Sequence, residues 1–216
     1  MEQSFNIKRT EEQRVYSMNK RHYNSEETRQ VIAEKAAQLF AQKGFAGTSI
    51  ADISRESGFS KGHIYYHFEN KEKLFVHLSL ETMRNWGEKW KAVAGSYPTA
   101  VEKLYGMAYF VMNNYKTPLL PVGQELAMNP NTSPETLQAL QGLAATPMAA
   151  YAEIFREGVE NGEFAIENLE ETTLLFGSWM GTLCQFTLTM DGEPLQRLFQ
   201  QAVTIFVGGI RKREDT

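Results

Sequence analysis

Apolar residues recur at three- and four-residue steps through most of this chain, the period of an amphipathic helix, with polar or glycine-containing breaks between runs. The opening stretch lacks that period: it is polar, carries Lys8, Arg9, Arg14, Lys20 and Arg21, and reads as a flexible basic arm over residues 1–23. Met18 is a second candidate start within it. Asn24 followed by Glu27 is a capping-box signature, and Ile32, Ala36, Leu39 and Phe40 then share a face, predicting a helix to about Lys43 that stops at Gly44. Thr48 or Ser49 caps a second, short helix holding Ile50, Ile53 and Ser54 and ending at Gly58. Ser60 caps a third, with Ile64, Tyr65 and Phe68 as packing residues. Only Ser57-Gly58-Phe59 lies between them, and Gly58 supplies a backbone conformation that residues with a Cβ adopt reluctantly. Two short helices joined by such a turn form a helix-turn-helix.

Asn70 opens a long helix in which Leu74, Phe75, Leu78, Thr82, Trp86 and Trp90 recur at helical steps. Further breaks fall at Gly95–Pro98, Lys116–Pro121, Asn129–Pro134, Gly162 to about Asn168, and Asp191–Pro194. The segments between them are too long for ordinary strands and rich in Ala, Leu, Met, Glu and Gln, so the expected fold is all-α with about nine helices. The last two, about Glu170–Met190 and Pro194–Arg211, are strongly apolar.

Composition changes this picture little: of 216 residues, 42% are hydrophobic and 22% charged, which disfavours extended disorder, collagen-like repeats and a disulfide scaffold. A single cysteine, Cys184, forms no internal disulfide and fits a reducing compartment. No apolar signal region and no run long enough to span a membrane is present, so the expected address is the cytoplasm. Charge adds more. The net charge of −4 argues against a nucleic-acid partner until it is divided by position. Residues 1–73 carry 12 Lys+Arg and 10 Asp+Glu, net +2; residues 74–216 carry 10 and 16, net −6. A basic head on an acidic body suggests two tasks, with polyanion contact at the head.

The stretch Gly44 to Phe75 resembles the DNA-binding domain of the TetR family of transcriptional regulators. The likeness rests on Gly44-Phe45, Thr48, Ile50 and Ile53, Gly58 in the turn, Ser60-Lys61-Gly62, then Ile64-Tyr65-Tyr66-His67-Phe68, and the NKEKL run from Asn70 to Leu74. It is strong over about residues 25–90 and architectural beyond. It implies a helix-turn-helix domain over residues 24–73 and a ligand-binding and dimerisation domain over residues 74–216.

Elementary chemistry supports that reading. A recognition helix offers its first turn to base edges and phosphates, and Ser60, Lys61, Gly62 and His63 occupy that turn. Lys61 suits guanine acceptors or a phosphate, Gly62 lets backbone approach, and Tyr65, Tyr66 and His67 can donate to phosphate oxygens. Thr48 and Lys71, each opening a helix, are placed to clamp the DNA backbone. The resemblance carries all nine over as DNA contacts: Thr48, Ser60, Lys61, Gly62, His63, Tyr65, Tyr66, His67 and Lys71. Tyr65 and Phe68 are also core candidates. His63 and His67 share a helix face but have no nearby ligand cluster, so no metal and no cofactor is expected.

The SKGHIYYHF run, the Trp86 and Trp90 pair and Tyr151 to Phe164 resemble more narrowly a branch of the family that senses lipophilic cationic drugs. That branch's drug-facing carboxylates fall here on Thr82, Met83, Asn114 and Ala144, none acidic. Glu125, following Pro118-Leu119, is one acid in their place. The candidate effector contacts are Trp86, Trp90, Tyr105, Tyr109, Tyr115, Glu125, Tyr151, Phe155 and Trp179, residues that equally fill ordinary cores. The effector implied is lipophilic and aromatic, with a cationic drug less favoured. The resemblance also pairs the last two helices with those of a second copy, Gly177 and Gly181 allowing close approach, and so implies a homodimer on a palindromic operator. An enzyme is the rival class; Glu153, Glu157 and Glu160 are its nearest carboxylate cluster, at the spacing of a solvated helix face, and no catalytic constellation accompanies them. Two alternatives stand beside a repressor of efflux or detoxification genes: a regulator of metabolic genes, and a binding module acting through a protein partner.

Overall fold

The computed structural model of the chain describes residues 25–212. The expectations for the arm, for Met18 and for the Asn24 cap fall outside them. The described residues are helical throughout apart from connecting loops, with one isolated bridge, Phe164 to Arg211. Two compact units divide them: the described residues up to Leu78 together with Pro121–Thr132, and Ser79–Leu120 with the described residues from Ser133 onward.

The first unit begins with α1 (25–43), whose Ile32, Ala33, Ala36, Leu39 and Phe40 are buried on one stripe. It ends where the sequence places its stop: Gly44 takes φ +72° and its N–H donates to Phe40 O at 2.9 Å. Helices α2 (Ile50–Ser57) and α3 (Lys61–Phe68) follow, then the start of α4 (Lys71–Ala94), which Asn70 caps by accepting the Lys73 N–H at 2.8 Å. Phe40, Phe45 and Phe75 pack as a triad, the first two stacked with centroids 5.6 Å apart and Phe75 edge-on to both. Helix α6 (Leu120–Met128) contributes buried Val122 and Leu126.

The second unit holds the rest of α4, with α5 (Ala100–Asn114), α7 (Pro134–Gly142), α8 (Ala145–Glu160), α9 (Leu169–Phe186) and α10 (Gly192–Ile210). Helix α5 packs against α8 and α10, and α8 against α9, around a core that includes Trp86, Trp90, Leu104, Met107, Phe155, Phe176 and Phe199. Glu163 caps α5 from a distance, its carboxylate accepting the Ala100 and Val101 N–H groups at 2.9 and 3.1 Å.

Three details differ from the sequence reading. The run from Pro134 to Gly162 is two helices, not one. Pro147 lacks an N–H and is tolerated only in a first turn, so the chain breaks at Leu143 and Ala144 and restarts with Pro147 as the third residue of α8. Helix α9 stops at Phe186, and 187–189 form turns in which Thr187 and Leu188 bond back to Cys184 and Gln185. Gly177 is buried against α8: a Cβ there would lie 2.3 Å from the Met148 thioether, so this glycine serves packing within the chain, while Gly181 faces open space.

Candidate nucleic-acid interface and effector site

The turn that presents α3 is fixed by local bonds. Ser49 is the N-cap of α2 in a reciprocal box with Asp52, whose carboxyl is held far below its ordinary value, first by the Ser49 hydroxyl and then by Arg55. Gly58 takes φ +76° and donates to Ser54 O, and the Ser54 hydroxyl donates to Phe59 O at 2.7 Å. Ser60 then caps α3, accepting the His63 N–H at 3.3 Å. Ile64 and Phe68 face inward, which turns Lys61, Gly62, His63, Tyr65 and Tyr66 outward, all exposed along with Ser60. Tyr66 at 79% and Tyr65 at 49% exposure are large aromatics that no packing argument explains, so Tyr65 lies outside the core and Phe68 within it.

His67 is partly buried beside Tyr66; burial first, then the Arg29 and His63 charges, lowers its pKa, so its ring is a neutral donor at physiological pH. Arg29, which sequence reasoning missed, supports α3 from beneath. Its guanidinium stands 5.5 Å over the Phe68 ring and 3.3 Å from His77 Nδ1. No local signal marks a partner 48 residues away in sequence.

Two residues expected at the DNA backbone are engaged elsewhere. Thr48 is 0% exposed and donates its hydroxyl to Gly44 O at 2.8 Å; it closes the loop after α1 and offers no atom to a phosphate. Lys71 donates to Phe45 O and Thr48 O at 2.8 and 2.7 Å, with its ammonium 4.2 Å from the centre of the Phe45 ring. Burial lowers its pKa, and its charge is directed at loop carbonyls.

The expectation for Glu125 also changes. It lies on α6 in the first unit, where its two carboxylate oxygens accept the Phe45 and Ala46 N–H groups at 2.8 and 2.9 Å. A Cβ on Gly44 would stand 2.9 Å from that carboxylate. The loop at 44–48 is thus gripped through its amides by an anion from α6 and through its carbonyls by a cation from α4. In this structure the partners of that carboxylate are the loop's amides.

In the second unit, Trp86 and Trp90 meet the Phe110 ring at 5.2 and 5.5 Å, and Tyr151 and Phe155 meet Phe176 at 5.1 and 5.4 Å. Trp179 packs on Phe206. Tyr105 bonds Thr204 at 3.0 Å, tying α5 to α10, and Tyr115 accepts from Gln185 at 3.1 Å, tying the end of α5 to α9. Tyr109 does not join them: at 57% exposure it stands on the outside of α5. Burial raises the Tyr151 hydroxyl well above its usual value, so it stays protonated. Of the carboxylates set aside for catalysis, Glu153 and Glu160 are solvated and Glu157 holds the Lys103 ammonium at 2.6 Å. Among the described residues no group of three or more His, Cys, Asp or Glu is placed to hold a metal, and no helix is long and apolar enough to cross a membrane.

Comparison with known proteins adds independent findings. A model of bacterial regulatory proteins of the tetR family matches residues 32–78, and a model of the C-terminal region of QacR-like proteins matches residues 82–212. The transcriptional regulator QacR of Staphylococcus aureus is 27% identical over 178 residues, 82% of this chain and 95% of that one. Among solved structures, a TetR transcriptional regulator from Chloroflexus aurantiacus is 22% identical with a TM-score of 0.70, covering 88% of this chain and 100% of the other. FadR from Bacillus subtilis, solved with stearoyl-CoA, is 20% identical with a TM-score of 0.67, covering 84% and 98%.

Proposed function

Because this chain belongs to the TetR family of bacterial regulatory proteins, and so is a ligand-responsive transcriptional regulator, we propose that it represses its target as a cytoplasmic homodimer through α3. The observation that carries this reading is the outward face of α3: Ser60, Lys61, Gly62, His63, Tyr65 and Tyr66 are exposed together on a helix whose opposite face is buried. Lys61, Tyr65, Tyr66 and His67 supply charge and hydrogen bonds to phosphates, and the first turn meets base edges in the major groove. Thr48 and Lys71 hold the motif's entry loop and act on DNA only through its shape.

Two copies pair through α9 and α10. Support comes from Leu174, Leu175 and Ile205, each more than half exposed, and from Gly181, Gly208 and Gly209, where an added Cβ meets nothing within 4 Å. The pair addresses a palindromic operator with half-sites about 34 Å apart or a multiple of it.

The effector is lipophilic, with a cation less favoured; it is bound among Trp86, Trp90, Tyr105, Tyr115, Tyr151, Phe155 and Trp179, and it favours the state that fits DNA poorly. Glu125, the acid that the sequence sets against a cation, accepts the Phe45 and Ala46 amides in the first unit. The drug-sensing branch that the sequence resembles and a fold neighbour solved with stearoyl-CoA support efflux control and metabolic control alike. The test is retardation of DNA from the chain's own promoter region. We expect binding that falls steeply with salt, weakens in Lys61→Ala/Tyr66→Phe, and is released by a lipophilic ligand. Absent or salt-insensitive binding overturns the reading in favour of a module that acts through a protein partner. Sequencing the genomic DNA selected by the protein separates efflux from metabolic targets.

A further inference from the structure

We propose that His63 reads a hydrogen-bond acceptor on a base edge, donating from Nε2 while the Ser60 hydroxyl donates to Nδ1. The proposal rests on the DNA-binding reading of α3 and names what its first turn recognises. Ser60 Oγ makes two contacts with the same residue: it accepts the His63 backbone N–H at 3.3 Å and lies 2.9 Å from His63 Nδ1. In the proposed arrangement the hydroxyl accepts the amide and donates its own proton to Nδ1. An imidazole that accepts at Nδ1 carries its ring proton on Nε2, the nitrogen on the far side of the ring from Ser60. The Phe59 ring stands edge-on to the imidazole at 6.1 Å and 68°, holding it from a second side. Ser60 and His63 are exposed, and Gly62 between them has no side chain to obstruct an approaching groove.

A fixed N–H donor discriminates by sign. In the major groove it meets acceptors at guanine N7 and O6, thymine O4 or adenine N7, and is opposed by the cytosine N4 amino group. Ser60 then acts as a positioning residue: its hydroxyl sets the imidazole and caps the helix. Lys61 beside it supplies charge without this constraint, since an ammonium rotates freely among acceptors.

The experiment uses the full-length chain. Operators are selected from randomised duplexes by the wild type, His63→Ala, Ser60→Ala and Ser60→Thr, and the ring ¹⁵N shifts of His63 are recorded without DNA. We expect the wild type to prefer an acceptor-bearing base at one symmetric position in each half-site. His63→Ala should lose about five- to tenfold in discrimination at that position alone, with the salt slope unchanged. Ser60→Ala should lose the same preference and Ser60→Thr restore it. Replacing guanine there by 7-deazaguanine identifies N7 as the acceptor if affinity falls; thymine at that position identifies O4. The ¹⁵N shifts should place the proton on Nε2. A proton on Nδ1, or the same base preference in wild type and His63→Ala, overturns this proposal alone. A wild type that selects no duplex overturns the DNA-binding reading itself, and this proposal with it.

Discussion

At the scale of single residues, charge is used here to hold backbone. Glu125 and Lys71 grip the amides and the carbonyls of the loop that leads into the helix-turn-helix, and Glu163 does the same for the start of α5. Charge-assisted bonds are the stronger kind, and losing the acceptor leaves the partly buried Phe45 amide unpaired. Glu125→Ala should therefore destabilise the first unit by about 1–3 kcal/mol in urea unfolding, and Glu125→Gln by less because one acceptor oxygen remains. Cys184 illustrates burial without chemistry: it is 2% exposed, and burial pushes its thiol up to about 12. An acid raised on folding favours the neutral form. Its contribution is fully present below the ordinary thiol value of 9.0 and is lost as pH climbs from there towards 12. In the native protein at pH 8 a thiol reagent should react on the order of a thousandfold more slowly than in urea; comparable rates would show that α9 opens readily.

At the scale of elements, the strongest local signals lie in caps and glycines. The capping box of α2 couples stability to pH with the opposite sign. Asp52 is depressed by Ser49 and Arg55, so its contribution is present above the ordinary carboxylate value of 3.8 and disappears only in stronger acid. Ser49→Ala removes the cap that Asp52 reciprocates and should cost about 1 kcal/mol, read as a shift in the denaturation midpoint. Glycines inside helices record close approaches. A Cβ on Gly158 would stand 2.1 Å from the Phe164 ring, in the core of the second unit. Gly158→Ala must displace that ring, so a loss of about 1–3 kcal/mol is expected in thermal or urea denaturation. Gly44 and Gly58 were legible from their place after helical runs, because positive φ is a local demand. The break before α8 was less so: Pro147 signals it, but a proline near helix formers marks either a kink or a restart, and the packing of α8 against α5 and α9 selects the restart.

At the scale of the molecule, the proposed dimer would cover the apolar residues that α9 and α10 leave exposed, Leu174, Leu175 and Ile205 at 60, 66 and 56%. Leu175→Glu/Ile205→Glu should convert a dimer to monomers in analytical ultracentrifugation and lower operator affinity at least about a hundredfold, because one recognition helix then binds alone. A dimer that persists would place the interface elsewhere. The sequence by itself determined the all-α class, the helix-turn-helix with its turn at Gly58 and cap at Ser60, and the charge split between head and body. These follow from periodicity, caps and glycine conformations that act over a few residues. Only the tertiary structure decided that Thr48 and Lys71 face loop backbone instead of solvent, that Glu125 belongs to the first unit, that Gly177 packs on Met148, and that Tyr109 stands outside. Each depends on a partner distant in sequence or on the rotation of a helix against its neighbours. Residue type names the chemistry a side chain can perform; the fold selects the partner that receives it.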